Sequence, residues 1–323
     1  MEYGRVAGVE KRVSRIVFGC AIGAMWEGKD VSHLLDKARD VGINTFDTAR
    51  VYGRSEESLG RWLNTQNREE LVVISKCCHP SPEGEKCVGE AFILEDLETS
   101  LNALRTDYID IYLLHRDNEA VPASEIVETL NACRAAGKIR AFGVSNWRIE
   151  RIIEANAYAK SHGLTPLSCS SPHFSLAEQI PGKWNGGCLT LTGKSNAASR
   201  TWYRENAFSI LAFSSLANGF FSGKMRSDQP ETRELFPAPL RVGYFTEDNF
   251  KRLAAAEALA KEKGCTVAQI ALKWLFTQGL NVFALVGSSS PERIAENAAA
   301  LDITLTREEA ARLNLEISEV HAP

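Results

Sequence analysis

No long apolar run interrupts this 323-residue chain. Its most apolar stretch, Ala207 to Phe221, contains Ser, Asn and Gly. A bilayer span takes about 20 predominantly apolar residues, so this stretch is too short and too polar for one. The opening residues, MEYGRVAGVEKR, lack the apolar core of a secretory signal. No N-x-[ST] acceptor occurs, and no two cysteines form C-x-x-C. The eight cysteines (Cys20, Cys77, Cys78, Cys87, Cys133, Cys169, Cys188 and Cys265) are scattered through apolar runs, which suits a reducing compartment better than a disulfide framework. Cys77-Cys78-His79 with Cys87 lacks the paired spacing of zinc ligands, so no metal is expected. The net charge is −4, without a long run of like charges, which leaves no electrostatic footprint for nucleic acid. A cytoplasmic protein is expected, with neither membrane nor nucleic acid as partner. The oligomeric state is left open.

Two nucleotide-binding signatures are also missing. No G-x-G-x-x-G turn occurs anywhere. Gly187 to Ser195 resembles a P-loop with one residue too many between its glycines, and Gly219 to Met225 has one too few, with Met225 where Ser or Thr should stand. The nest of N–H groups that holds a phosphate depends on that spacing, which excludes nucleotide hydrolysis.

What is present is ordinary globular composition, 24% charged and 44% hydrophobic. At roughly 150 residues per domain the length suggests two domains, but α/β barrels run longer as single units. Short β-branched runs alternate with longer amphipathic ones. The strand candidates are Ile16–Gly19, Asn44–Asp47, Val72–Ser75, Ile109–Leu114, Ala141–Ser145, Leu167–Ser171, Ser209–Ala212 and Val282–Val286. Several are continuously apolar, as strands buried on both faces are. Leu34, Ala38 and Val41 share one helical face, as do Leu97, Leu101 and Leu104, and Ile126, Leu130 and Cys133. Gly42, Gly137 and Gly163 follow helical patterns where a left-handed cap belongs.

Eight strands alternating with helices predict a parallel α/β architecture, and the missing glycine-rich turn counts against an open doubly wound sheet. The expectation is a (β/α)8 TIM barrel spanning 1–323 as a single domain. An N-terminal β-hairpin around Ala7-Gly8 would close its bottom. Extra helices are expected near the C-terminus, over Val267–Phe276 and Arg307–Ile317. Two long connections, Ala177–Asn206 and Leu216–Thr246, exceed the usual loop length and point to function.

A barrel places its active site at the C-terminal ends of its strands. There the sequence puts Asp47 followed by Tyr52, then Lys76, then His115, then Ser145-Asn146, then Phe213, and finally Gly287-Ser288-Ser289-Ser290 before a helix carrying Arg293. Singly, each has a structural explanation such as a cap, a surface lysine or a core-edge histidine. Four ionisable groups at one end of three successive strands are harder to explain so. Carbonyl reduction needs a hydride at carbon and a proton at oxygen, from a donor within hydrogen-bond reach. Free tyrosine, with pKa about 10, is a poor donor near neutrality. A neighbouring lysine cation should lower it, an aspartate should hold that lysine charged, and a histidine N–H could orient the carbonyl.

At these residues the chain resembles the aldo-keto reductase superfamily over nearly its whole length, Glu2 to about Leu315. The resemblance rests on Gly42-Ile-Asn-Thr-Phe-Asp47-Thr-Ala-Arg-Val-Tyr52-Gly53 with Ser55-Glu56, Val73-Ile-Ser-Lys76, Tyr112-Leu-Leu-His115, Gly143-Val-Ser145-Asn146, Ala212-Phe213-Ser214-Ser215-Leu216-Ala217 and Gly287 to Asn297. It implies an NADPH-dependent oxidoreductase that reduces a small or sugar-like carbonyl. Tyr52 would be the general acid, tuned by Lys76 and Asp47, with His115 orienting the carbonyl. Ser145, Asn146 and Ser171 would face the nicotinamide carboxamide, and Phe213 would stack on its ring. Leu216, Gly219, Ser222 and Lys224 would clamp the pyrophosphate. Ser288 and Arg293 would take the 2′-phosphate, with Glu296 and Asn297 on adenine. Trp26, Trp147 and Trp184 are expected to line the substrate mouth, and the short segment after the last helix to leave it open.

Three positions depart from the family pattern. Ser171 stands where Gln is usual, Phe213 where Tyr is common, and Gly287 where some branches carry Lys. Two other readings of the same residues are a slow cofactor-sensing or partner-binding subunit and a Schiff-base lyase acting through Lys76.

Overall fold

The computed structural model describes residues 1–180 and 188–317. A two-stranded antiparallel hairpin comes first, β1 (Tyr3–Gly4) on β2 (Val13–Ser14), with Gly8 at φ +82 in its connection. Eight parallel strands then close into a barrel: β3 (Ile16–Gly19), β4 (Thr45–Asp47), β5 (Val72–Cys77), β6 (Ile109–Leu114), β7 (Ile139–Ser145), β8 (Cys169–Ser171), β9 (Ser209–Ala212) and β10 (Val282–Val286). They are adjacent in chain order, and β10 completes the ring by pairing Ala284 with Ile16. The TIM barrel is the architecture read from the sequence.

The helices are α1 (Gly23–Trp26), α2 (Ser32–Asp40), α3 (Ser55–Leu63), α4 (Glu90–Leu104), α5 (Ala123–Ala135), α6 (Ile149–Ser161), α7 (Ala197–Glu205), α8 (Ala238–Tyr244), α9 (Glu247–Lys263), α10 (Val267–Phe276), α11 (Pro291–Ala299) and α12 (Arg307–Leu313). The last repeat is flanked by α10 and α12, the two extra helices expected. Each begins at a threonine that closes a reciprocal capping box, Thr266 with Gln269 and Thr306 with Glu309.

Strand ends shift where pairing dictates. β5 runs on to Cys77 because Lys76 and Cys77 still pair with Leu113 and Leu114. β8 starts only at Cys169, since the Leu167 amide donates to the Asn156 side chain instead of a neighbouring strand.

Two cores flank the sheet. Inside lie Val17, Val72, Ile74, Ile111, Leu113, Cys169, Leu211 and Phe283, and Val6, Val9 and Val13 of the hairpin region pack onto them. The hairpin thus plugs the barrel floor. Outside, Phe18, Phe46, Val73, Tyr112 and Phe142 meet the helices through residues such as Leu34, Leu97, Leu130 and Ile152. Strands buried on both faces account for the continuous apolar runs. No described helix is long and apolar enough to cross a membrane.

Candidate active site

Side chains along a strand alternate between faces with a period of two. Val72 and Ile74 belong to the inner core, and the next inward position on β5 is Lys76. The same count from Ile111 and Leu113 reaches His115, from Cys169 reaches Ser171, and from Leu211 reaches Phe213. From Val17 it reaches Gly19, and from Phe283 and Leu285 it reaches Gly287. Asp47 and Ser145 occupy the corresponding positions on β4 and β7. All eight line one cleft of about 1250 Å³ at the C-terminal ends of the strands. Apart from Phe213, the top layer of the barrel is therefore polar, charged or glycine, where the layers beneath are mostly apolar. Gly143, one step below Ser145, has to be glycine: a Cβ there would lie 2.2 Å from the Cys169 carbonyl oxygen.

At one end of the cleft, the Lys76 ammonium donates to both Asp47 carboxylate oxygens, at 2.7 and 2.8 Å, and to the Thr48 carbonyl at 2.8 Å. Both side chains of the pair are buried. Lys76 Nζ lies 5.0 Å from the centroid of the Tyr52 ring. The His115 ring meets Tyr52 edge-on at 5.7 Å, and Trp26 stacks on the other side of the phenol at 5.9 Å. Gly53 makes that stacking possible. It has φ +55, and a Cβ there would fall 2.7 Å from the Trp26 carbonyl oxygen.

The electrostatics follow from burial. Burial works to lower the Lys76 pKa, but the Asp47 and Tyr52 charges outweigh it and hold the ammonium above its usual range. Burial raises Asp47, with Lys76 opposing; the two short contacts identify a charged pair. Burial also lifts the Tyr52 phenol above its ordinary value, and the pull of Lys76 only partly offsets this. The net direction is upward, the reverse of what Lys76 alone would give. His115 is pushed well below the usual imidazole range, first by burial and then by Lys76, Arg116 and His79. It is a neutral imidazole, and its Nδ1 is buried without a partner among the described residues.

Ser145 and Asn146 form the floor beside this group. The Ser145 hydroxyl donates to the Ser171 carbonyl at 2.8 Å, and the Asn146 amide donates to Ser145 Oγ at 2.9 Å. Asn146 takes the left-handed backbone region, φ 62, and its side-chain oxygen accepts from the Leu189 amide. The Ser171 hydroxyl donates to the Leu211 carbonyl at 2.8 Å, so the strand itself engages it.

The cleft continues past Phe213, Leu216, Gly219, Ser222 and Lys224 to Ser288, Arg293, Glu296 and Asn297. Ser290 caps α11 by accepting from the Arg293 amide. This far end joins two cations, Lys224 and Arg293, to hydroxyls and a helix N-terminus, the donor set that phosphate groups take. An elongated cleft with hydroxyl and amide groups near its proton donors and phosphate chemistry at its other end fits a nicotinamide dinucleotide.

Every catalytic and cofactor residue expected from the sequence lines this cleft. The three tryptophans divide. Trp26 lines the cleft, half-exposed. Trp147 does not: it is buried, absent from the lining, and covered by the Arg151 guanidinium at 4.8 Å, so its place at the substrate mouth is corrected to the core. Trp184 falls outside the described residues. His79, Arg116 and Cys188 also line the cleft and are not among the site residues expected from the sequence. The signal for Arg116 was its position directly after His115 at a strand end.

Known proteins resemble this chain over most of its length. The Aldo/keto reductase family model matches residues 15–315. Aldo-keto reductase YhdN of Bacillus subtilis (strain 168) is 30% identical over 97% of this chain and 93% of its own length. L-glyceraldehyde 3-phosphate reductase of Escherichia coli (strain K12) is 28% identical over 88% of this chain and 83% of its own. The crystal structure of a thermostable aldo-keto reductase, Tm1743, in complex with the inhibitor epalrestat shares the fold, with TM-score 0.72 over 98% of this chain and 99% of that one, at 24% identity.

Proposed function

The chain belongs to the Aldo/keto reductase family, and from that premise we propose that it is an NADPH-dependent reductase of a small or sugar-like aldehyde or ketone. The family typically uses NAD(P)H. The observation that carries the reading is the buried Lys76–Asp47 pair beneath Tyr52, with neutral His115 beside the phenol.

The nicotinamide, when bound, supplies the hydride for the carbonyl carbon. The protein's own residues manage the oxygen. The Tyr52 hydroxyl gives its proton to the developing alkoxide, and Lys76, held charged by Asp47, stabilises the phenolate left behind. His115 positions the carbonyl oxygen as a neutral hydrogen-bond partner. Ser145, Asn146 and Ser171 would meet the carboxamide, with Phe213 against the ring. Leu216, Gly219, Ser222 and Lys224 would cover the pyrophosphate. Ser288 and Arg293 would take the 2′-phosphate, which favours NADPH over NADH, and Glu296 and Asn297 the adenine. The site draws on strands around the whole barrel, which supports reading 1–323 as one domain. A Schiff-base role for Lys76 is disfavoured, because an amine held as an ammonium by a carboxylate is no nucleophile.

The test is NADPH consumption with a panel of aldoses, keto-sugars and small aldehydes, for the native protein and Tyr52→Phe. The variant is expected to lose about a hundredfold or more in turnover, as removal of a general acid does. Fluorescence titration should show its NADPH binding intact. Full activity in Tyr52→Phe would overturn the assignment.

A further inference from the structure

Resting on the reductase reading, we propose that the catalytic end of the cleft contains an anion subsite built on Arg116. On this basis the substrate is a short carbonyl compound carrying a carboxylate or phosphate.

Arg116 follows His115 directly and lines the same cleft. It is half-buried. Among the described residues its guanidinium donates to two uncharged groups, the His115 carbonyl at 2.8 Å and Cys188 Sγ at 3.5 Å. The carboxylates that could neutralise it are engaged elsewhere. Asp117, its chain neighbour, accepts from Arg151 at 3.2 Å. Glu119 pairs with Arg148 at 2.8 Å. Asp47 is held by Lys76. Residues 181–187, which precede Cys188 in the chain, include no acidic residue.

An arginine with no carboxylate partner among the described residues is therefore fixed beside His115. Its field acts on neighbouring imidazoles, adding to the burial that keeps both His115 and His79 neutral. His79 packs edge-on against His115 at 4.9 Å and lines the same wall, with its Nδ1 hydrogen-bonded to the Pro80 carbonyl at 3.0 Å. Across the cleft end, Trp26 and Val51 supply apolar lining. A fixed guanidinium with unused donors suits planar, bidentate recognition of a carboxylate or phosphate. A neutral sugar would leave that charge unanswered. Because Arg116 adjoins His115 in the chain, the anionic group must sit close to the carbonyl, which keeps the substrate short.

The test compares kcat/KM for two matched pairs, 5-oxopentanoate against pentanal and glyceraldehyde 3-phosphate against glyceraldehyde. Native protein, Arg116→Gln and Arg116→Lys are measured side by side. The native protein is expected to favour the charged member of at least one pair by about tenfold to a hundredfold, the range for a hydrogen bond to a charged group. The favoured pair tells carboxylate from phosphate. Arg116→Gln should bring that ratio near one, through a higher KM for the charged member. Arg116→Lys should restore part of it, which a merely structural role for the side chain would not do. Equal use of charged and uncharged members by the native protein overturns the subsite while leaving the reductase reading intact, and so does an unchanged ratio in Arg116→Gln. If no carbonyl is reduced at all, the reductase reading falls. Calorimetric titration with 5-hydroxypentanoate and glycerol 3-phosphate then decides the subsite: binding that is lost in Arg116→Gln upholds it, and absence of binding overturns it.

Discussion

At the residue scale, the Asp47–Lys76 pair carries the most consequence. Removing one partner of a buried pair leaves the other charge unanswered, at a cost of roughly 3–5 kcal/mol. Asp47→Asn is therefore expected to lower the unfolding free energy, read from denaturant titration, by an amount of that order and to cut turnover. A variant of native stability would show that Lys76 finds another counter-charge. Tyr52 gives a second prediction, with its sign fixed by burial. The proposed reduction needs the phenol protonated, and its pKa lies above the ordinary 10.0 because burial outweighs Lys76. The kcat/KM for reduction should thus show no loss of the phenol proton through neutrality, declining from this cause only in the strongly alkaline range. A phenol inflection near pH 7, identified by its absence in Tyr52→Phe, would mean that the lysine wins after all. These strand-end residues were legible in the sequence because a side-chain period of two lines them up. Arg116 was not, since a charge after a motif reads as solvated; only its contacts and the engagement of Asp117 by Arg151 distinguish it. Trp147, expected at the mouth, lies in the core instead, buried with the Arg151 guanidinium over its ring.

At the element scale, a buried carboxylate is one of the ties that hold the hairpin to the barrel. Asp110 on β6, 1% exposed, accepts from Lys11 at 2.8 Å, from Arg68 at 2.7 Å and from the Val73 amide at 2.9 Å. Lys11 also donates to the Leu71 carbonyl at 2.8 Å and to the Tyr108 hydroxyl at 2.9 Å. Asp110→Ala strips the shared anion from two cations and orphans a buried amide. A loss of about 3 kcal/mol or more is expected, readable as a lower melting temperature. Faster amide exchange over residues 3–14 should accompany it. Unchanged exchange there would show that Val6, Val9 and Val13 hold the hairpin without the ion pairs. The hairpin itself was legible from its glycine turn, and α10 from its apolar period. α7 and α8 were hidden in the two long connections, where Gly, Pro and aromatic residues mask the helical period, and α9 follows directly after the second. The Thr246 cap and the left-handed Gly264 that bound α9 are signals a closer reading could have used.

At the scale of the whole molecule, distant segments are tied over the barrel mouth by a histidine that the chemistry does not use. His173, after β8, is fully buried. Its Nδ1 meets the Thr190 hydroxyl at 2.8 Å, and its Nε2 lies 2.9 Å from the Tyr244 hydroxyl at the end of α8. Burial lowers its pKa from 6.5 to about 3. Below pH 6.5 the unfolded chain takes up a proton that the native imidazole refuses, so stability is full above that pH and is lost as pH falls toward 3. The loss attributable to His173 is about 2 kcal/mol at pH 5. His115, depressed by the same cause, acts with the same sign. Buried carboxylates whose pKa is raised, such as Asp47 and Glu56, oppose the trend at lower pH. The contribution of His173 is therefore isolated by comparison with His173→Gln rather than by the native curve alone. The variant loses hydrogen bonds at every pH and should be less stable than the native protein at pH 8. Its stability should then fall less steeply between pH 7 and 5, so that the two curves converge on acidification. Parallel curves would mean that His173 accepts its proton in the folded state, and that the contacts joining residues 173, 190 and 244 survive the charge.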